Sequence, residues 1–159
     1  MNFLVQYSDS TVLRDARTEY FRDNNFGDDG GYNGRWVKVK IGPVPVWLPN
    51  TYGRRCAVRL HDFHHIATGY DTSLVGEAEI GAWELASGCR NYYAAWILNG
   101  GAVMIGFFIA PRRLWRAFVR GWGGTNLYRL GLDDRWLDDT VGALRERLGM
   151  RDQHHGVAA

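Results

Sequence analysis

Three of the five histidines in this 159-residue chain fall within five positions, in the segment HDFHHIATGYDTSLVGE at residues 61–77. His61 and His65 are four residues apart, so on a helix they lie one above the other on the same face. Two imidazoles placed in this way can bind one divalent cation, provided that further ligands come from elsewhere in the chain. The pair therefore marks residues 61–65 as one half of a candidate metal site.

The residues after His65 can return a carboxylate to the two imidazoles. A turn is predicted at residues 69–71, and a second helix then runs to about Leu85. If the two helices are antiparallel, Glu77 comes back beside His65, and Glu84 shares a face with Glu77. The predicted pairing thus supplies acidic groups on the side where the histidines lie.

Asp62 lies about 100° around the helix from His61, where it can join the ligands or accept an imidazole N–H. A histidine pair at this spacing also occurs without a metal, as a half-buried, hydrogen-bonded pair. Burying two imidazoles and two carboxylates together without a cation would leave uncompensated charge. The set His61, Asp62, His65 and Glu77 therefore predicts a divalent metal site, best suited to Zn²⁺ and open to Fe²⁺ or Mn²⁺. His64 is expected in the core or behind the ligands.

The rest of the pattern predicts a helical protein. The length suits one domain with a buried core. Residues 35–50, RWVKVKIGPVPVWLPN, alternate as strands do and turn at Gly42-Pro43. A last amphipathic helix is expected from about Asp133 to Gly149. We predict a mainly α, single-domain helical bundle of about five or six helices with a small N-terminal β-hairpin, which spans residues 1–150 and precedes a disordered tail at 151–159.

Two neighbouring segments, one apolar and one basic, have compositions that could contact a membrane. Residues 92–111 have Asn99 as their only strongly polar side chain and are about long enough to cross a bilayer. We predict a central helix buried on all sides, because Gly100-Gly101 interrupts the segment and no second span follows. Arginines 112, 116 and 120 then recur every four residues. Such a helix usually presents a solvated face, but it can also lie on an anionic membrane or hold a phosphate or carboxylate.

Charge and cysteine content narrow the functional classes. The net charge is +2 and most arginines are dispersed, which does not favour a nucleic-acid partner. Cys56 and Cys89 are too few for a disulfide scaffold or a cysteine-based zinc site. The N-terminal sequence MNFLVQYSDS lacks the basic and apolar regions of a secretory signal. A cytoplasmic location is therefore expected.

The motif H-D-x-x-H, eleven residues and then E resembles the signature of the coenzyme Q biosynthesis protein 4 family. The positions that match it are His61, Asp62, His65 and Glu77. The stretch TGYDTSLVGE at residues 68–77 is also similar, and the resemblance extends over about residues 55–120. This chain departs from the family in its short length and in its N-terminal part, where the glycine-rich loop and GPVPVWLP do not match.

The resemblance implies a mostly helical fold, a metal held by those four residues and a hydrophobic tunnel for a polyprenylated ring. It also implies a role in ubiquinone assembly, where the family removes the ring carboxylate, hydroxylates that carbon and organises partner enzymes. On this basis we expect a metal-dependent enzyme that acts on an aromatic or quinone-like hydrophobic substrate. Glu84 is then a candidate proton carrier, and an association with the membrane periphery is expected.

Two other interpretations remain open from the residues. One is a non-catalytic lipid-binding or scaffold protein of quinone biosynthesis, with a structural metal that ties two helices together. A site saturated by four protein ligands would favour it, because catalysis usually needs an open position. The other is a cyclase or lyase of secondary metabolism on the same scaffold. A homo-oligomer is compatible with each of them.

Overall fold

The computed structural model describes residues 7–41 and 44–150. Its elements are α1 (Leu13–Asp23), β1 (Trp36–Ile41), β2 (Val44–Pro49), α2 (Tyr52–Thr68), α3 (Leu74–Ser87), α4 (Tyr93–Ile109), α5 (Pro111–Gly121), α6 (Leu127–Leu130), a 3₁₀ turn (Asp134–Asp138) and α7 (Val141–Arg147). The strands β1 and β2 form an antiparallel hairpin. The predicted mainly helical fold with a small N-terminal hairpin is confirmed. The expected tail at 151–159 and the hairpin turn at 42–43 lie outside the described residues.

Local capping sets the ends of α2 and α3. The Thr51 hydroxyl accepts the N–H of Arg54 at the start of α2, and Gly69 ends that helix with a left-handed φ of 79°. The Ser73 hydroxyl accepts the N–H of Gly76 at the start of α3. The chain therefore reverses between Gly69 and Ser73, as the sequence predicts.

Helix α3 is the central element of the core and packs against both α4 and α5. Ile80 and Trp83 are completely or almost completely buried on it. Close approach on both sides depends on glycine, because a Cβ at Gly106 of α4 would collide with Ala78, and one at Gly121 of α5 would collide with the Trp83 carbonyl. This packing holds the acidic side chains of α3 at fixed positions.

The prediction of one continuous helix from Asp133 to Gly149 is wrong. The backbone at residues 139 and 140 instead pairs with the start of α1, where the Leu13 N–H donates to the Asp139 carbonyl at 2.8 Å. Thr140 then caps a separate helix, α7, by accepting the N–H of Ala143. The apolar face expected for this region is nevertheless buried, at Leu137, Val141, Leu144 and Leu148.

The prediction that the apolar helix is buried on all sides is also wrong. Only Ala95, Asn99 and Gly106 of α4 are buried. The opposite face carries large apolar side chains that are exposed, namely Tyr93, Trp96, Ile97, Met104, Phe107 and Phe108. The reason is that α4 packs on its neighbours along one side, and no described element covers the other. Among the described residues, no helix has the length and apolar character that crossing a bilayer requires.

Candidate metal centre

Three of the predicted ligands meet where α2 and α3 come together. The Nε2 atoms of His61 and His65 are 3.1 Å apart. Glu77, in the first turn of α3, places Oε2 3.3 Å from Nε2 of His61 and Oε1 3.5 Å from Nε2 of His65. In a tetrahedral site with metal bonds of about 2.0–2.1 Å, ligand atoms lie about 3.3–3.4 Å from one another. The separations found here are close to that spacing but involve both oxygens of Glu77, and one ligand atom from each of the three side chains lies within 4.8 Å of the other two.

Both imidazoles are oriented through their Nδ1 atoms. Nδ1 of His65 lies 2.9 Å from the carbonyl oxygen of Tyr70, and Nδ1 of His61 lies 2.9 Å from Oε1 of Glu84. A carbonyl oxygen only accepts, so Nδ1 of His65 carries a proton and donates it to the bond. In metal sites such partners fix the tautomer and ring orientation of the histidine ligands. The arrangement turns both Nε2 atoms toward Glu77, where one ion can bind them once Nε2 of His61 has lost its proton.

Glu84 is completely buried behind His61 and accepts hydrogen bonds from four protein groups. Besides His61, the donors are Nδ1 of His64 at 2.5 Å, the Tyr128 hydroxyl at 3.0 Å and the Asn99 side-chain amide. Burial opposes the negative charge, but His61 and His64 outweigh it and hold the pKa of Glu84 well below its ordinary value. The Glu84 carboxylate has no exposed surface, and of its four partners His61 is the one that also contacts Glu77.

His64 lies in the core, as expected from the sequence. Its Nε2 atom accepts the N–H of Leu127 at 2.9 Å. A neutral His64 therefore carries its proton on Nδ1, which donates to Glu84. Burial lowers the pKa of His64, which favours this neutral form. The ring is thus a fixed link between α2, α3 and the start of α6.

Asp62 lies outside the group of ligand atoms formed by His61, His65 and Glu77. Its Oδ2 atom accepts the hydroxyl of Tyr32 at 2.5 Å. Tyr32 belongs to the glycine-rich loop before β1, so this bond ties the loop to α2. Burial raises the pKa of Asp62 to about 6. A ligand role for Asp62 stays a prediction, and the structure gives it a different partner.

The centre is open on one side and walled on the other. Glu77 and His61 keep 37% and 18% of their side-chain surface exposed, whereas His65 keeps 1%. The ring of Tyr20 stacks on His65 with centroids 5.7 Å apart. A ligand can therefore approach from the Glu77 side, while α1 closes the His65 side.

Sequence reasoning missed most of the groups that surround the ligands. Asn99 was visible as the only strongly polar side chain in an apolar run, and such isolation is a usable signal. Tyr32 and Tyr128 carry no comparable signal, because each lies at least 30 positions from its carboxylate partner. Their roles depend on how the loop and α6 fold over the helix pair.

The charges of the centre determine how the ion-free protein responds to pH. Burial disfavours a charged His61, but the carboxylates of Glu84 and Glu77 outweigh it and hold the pKa of His61 well above its ordinary value of 6.5. The stabilisation from this imidazolium is complete below about pH 6.5 and is lost as pH rises through the raised pKa. Burial also opposes the charge on Glu77, yet His65 and His61 lower its pKa, so its contribution is complete above about pH 4.5 and is lost in acid.

A bound ion is expected to reverse the pH dependence of protein stability between pH 6 and pH 8. The ion must displace the proton from Nε2 of His61, so each pH unit below the raised pKa weakens apparent binding about tenfold, or about 1.4 kcal/mol. The increase in melting temperature caused by equimolar Zn²⁺ should therefore be larger at pH 8 than at pH 6. Differential scanning calorimetry of the ion-free and zinc-loaded protein at both pH values measures this. An increase that is equal at both, or larger at pH 6, contradicts the assignment of His61 as a ligand.

Comparisons of the chain with models of known protein families, with curated proteins and with solved structures found no match.

Proposed function

We propose that this protein is a metal-dependent enzyme whose divalent ion is held by His61, His65 and Glu77. The observation that carries the proposal is that these three ligand atoms converge while both Nδ1 atoms are occupied by Glu84 and by the Tyr70 carbonyl. Three protein ligands leave a coordination position free, as in catalytic sites with two histidines and one glutamate. Such a position suits an enzyme better than a purely structural metal.

The residues of the centre have two roles, which are to hold the imidazole ligands in place and to admit the substrate. Glu84 and the Tyr70 carbonyl orient the imidazoles, and the exposed side of Glu77 admits the substrate. When bound, a divalent cation supplies a Lewis acid for negative charge that develops on a carboxylate or phenolate oxygen. Zn²⁺ fits this donor set, and Fe²⁺ is the second candidate because two histidines and one carboxylate also form the ligand set of non-haem iron oxygenases.

We propose that the substrate is an aromatic ring acid with a hydrophobic tail. This substrate class is the one implied by the resemblance of the motif to the coenzyme Q biosynthesis protein 4 family. In the reaction, the bond between the ring and its carboxylate breaks, carbon dioxide leaves and the ring carbon takes a proton. Hydroxylation of the same carbon would further require dioxygen and an electron donor. The buried Glu84 touches His61 and not the open side, so the proton is expected from solvent at that side.

A second candidate is a lipid-binding or scaffold protein of quinone biosynthesis with a structural metal. The exposed apolar face of α4 favours it, because that surface can bind lipid without any reaction. The two candidates differ in turnover and not in metal content. The test must therefore measure product.

Turnover is tested with metal-replete protein and a hydroxybenzoic acid that carries a short prenyl chain. Release of carbon dioxide, followed with and without dioxygen and with Zn²⁺ or Fe²⁺, is expected from the wild type and not from Glu77→Gln. Glu19→Gln is the matched control, because Glu19 is a half-exposed glutamate on α1. Tight lipid binding with no carbon dioxide release under any of these conditions would support the scaffold instead.

A further inference from the structure

The exposed face of α4 is large and consists mainly of apolar side-chain surface. Ile97, Met104 and Phe108 keep 74%, 61% and 77% of their surface exposed and follow the helical repeat along one side. The side chains of this face, defined above by Tyr93, Trp96, Ile97, Met104, Phe107 and Phe108, include no charge. Contiguous apolar surface of this kind marks a site of interaction with a protein or a membrane.

Helix α5 adds a second apolar face with cationic neighbours. The ring of Phe118 lies 5.8 Å from that of Trp115 and 5.5 Å from that of Trp122, and both tryptophans are exposed. Arg112 and Arg116 are exposed one turn apart on α5. The two helices are joined by Ala110 alone, so the end of the α4 face lies next to the start of α5.

The charge of this region is of one sign. Residues 91–132 contain five arginines and no aspartate, glutamate or lysine. Arg113 pairs with Glu79 through two hydrogen bonds, and Arg120 donates to the Thr68 carbonyl. Of the five, Arg112, Arg116 and Arg129 have exposed side chains, and Arg112 and Arg116 lie on α5 itself. The complement to such a surface is an anionic one.

We propose that α4 and α5 dock this protein on the surface of a bilayer that contains anionic lipids. The apolar faces would enter the boundary between headgroups and acyl chains, and Arg112 and Arg116 would lie at the lipid phosphates. Exposed Trp and Tyr beside Arg are the composition that membrane interfaces favour. The proposal rests on this surface alone and is independent of the reaction at the metal centre.

A second copy of the chain fits the surface less well than lipid. A two-fold dimer would place the patch against itself, and with it the same arginines, because such interfaces are self-complementary. Residues 91–132 offer no acidic group to neutralise them. An anionic bilayer supplies both the apolar phase and the opposite charge.

The test uses the full chain and vesicles of phosphatidylcholine, alone or mixed with phosphatidylglycerol. We expect binding in flotation assays that is stronger to the mixed vesicles, and Phe108→Glu or Ile97→Glu should weaken it at least about tenfold. Arg112→Gln and Arg116→Gln should each weaken binding to the mixed vesicles about fivefold, with little effect on the neutral ones. The matched controls are Tyr52→Glu, at 76% exposed on α2, and Arg22→Gln on α1, neither of which should alter binding.

Two further measurements keep the outcomes distinct. Circular dichroism should show that the face variants stay folded, because the replaced side chains are exposed. Glu77→Gln should bind vesicles as the wild type does, even if it binds no metal. Absence of vesicle binding, or equal binding by wild type, Phe108→Glu and Ile97→Glu, would overturn the proposal. A further contradicting result would be a wild-type protein that binds neither kind of vesicle and forms a dimer in analytical ultracentrifugation, if Phe108→Glu dissociates that dimer.

Discussion

Replacing Glu77 with Gln is expected to reduce the metal content of the purified protein from about one ion per chain to a substoichiometric level. The carboxylate of Glu77 faces both imidazoles, and a neutral amide is a much weaker ligand for a divalent cation. His61→Ala and His65→Ala should have the same effect, because each removes one of three ligands. Inductively coupled plasma mass spectrometry of protein prepared in excess Zn²⁺ or Fe²⁺, then dialysed, measures the ion content directly.

Two other variants show what the result means. Glu19→Gln on α1 should keep the full ion content, since Glu19 lies outside the centre. Asp62→Asn tests whether the ion is bound by the four ligands that the motif implies or by the three that the structure groups together. We expect Asp62→Asn to retain the ion, because the Asp62 carboxylate accepts the Tyr32 hydroxyl. Full metal content in Glu77→Gln and in both histidine variants would reject the site.

Replacing Glu84 with Ala is expected to destabilise the protein by about 3–5 kcal/mol, the usual cost of removing one partner from a buried charged pair. It would leave the donors of His61, His64, Asn99 and Tyr128 facing an empty space in the core. It should also weaken metal binding about 10- to 100-fold, because His61 loses the acceptor that orients it. Urea denaturation of the ion-free protein gives the first quantity, and competition with a zinc chelator gives the second.

The matched control is Glu79→Gln on the same helix. Glu79 is also buried, but it pairs with Arg113 and does not touch the centre. We expect Glu79→Gln to lower stability and to leave metal affinity unchanged, whereas Glu84→Gln should lower both. A folded Glu84→Ala protein with wild-type metal affinity would show that Glu84 does not orient His61, because alanine offers no acceptor to Nδ1.

The Glu84 cluster explains why the centre and the fold depend on each other. Glu84 from α3 receives hydrogen bonds from α2, from Asn99 of α4 and from Tyr128 of α6. A single buried carboxylate thus holds four helices around the back of the ligand His61. The same bond from Asn99 connects the buried side of α4 to the metal centre, while the opposite side carries the proposed lipid-docking face.

The pairing of the metal ligands could be predicted from the sequence because it depends on short-range geometry. The spacing of His61 and His65 sets them on one helical face. Gly69 and Ser73 then end one helix and begin the next within a few residues. Such caps act on backbone groups three or four positions away. The return of Glu77 to the histidines follows from these local rules.

Other features were decided by the tertiary structure. Asp62 has the position of a ligand in the motif, but the loop that carries Tyr32 folds over α2. The Tyr32 hydroxyl then donates a hydrogen bond to the Asp62 carboxylate. The apolar pattern of α4 predicted burial, yet one face is exposed, because hydrophobic periodicity identifies an apolar surface without saying whether a neighbour covers it. Hydrogen-bond partners and covering surfaces come from residues tens of positions away, and they are set by how the helices pack together.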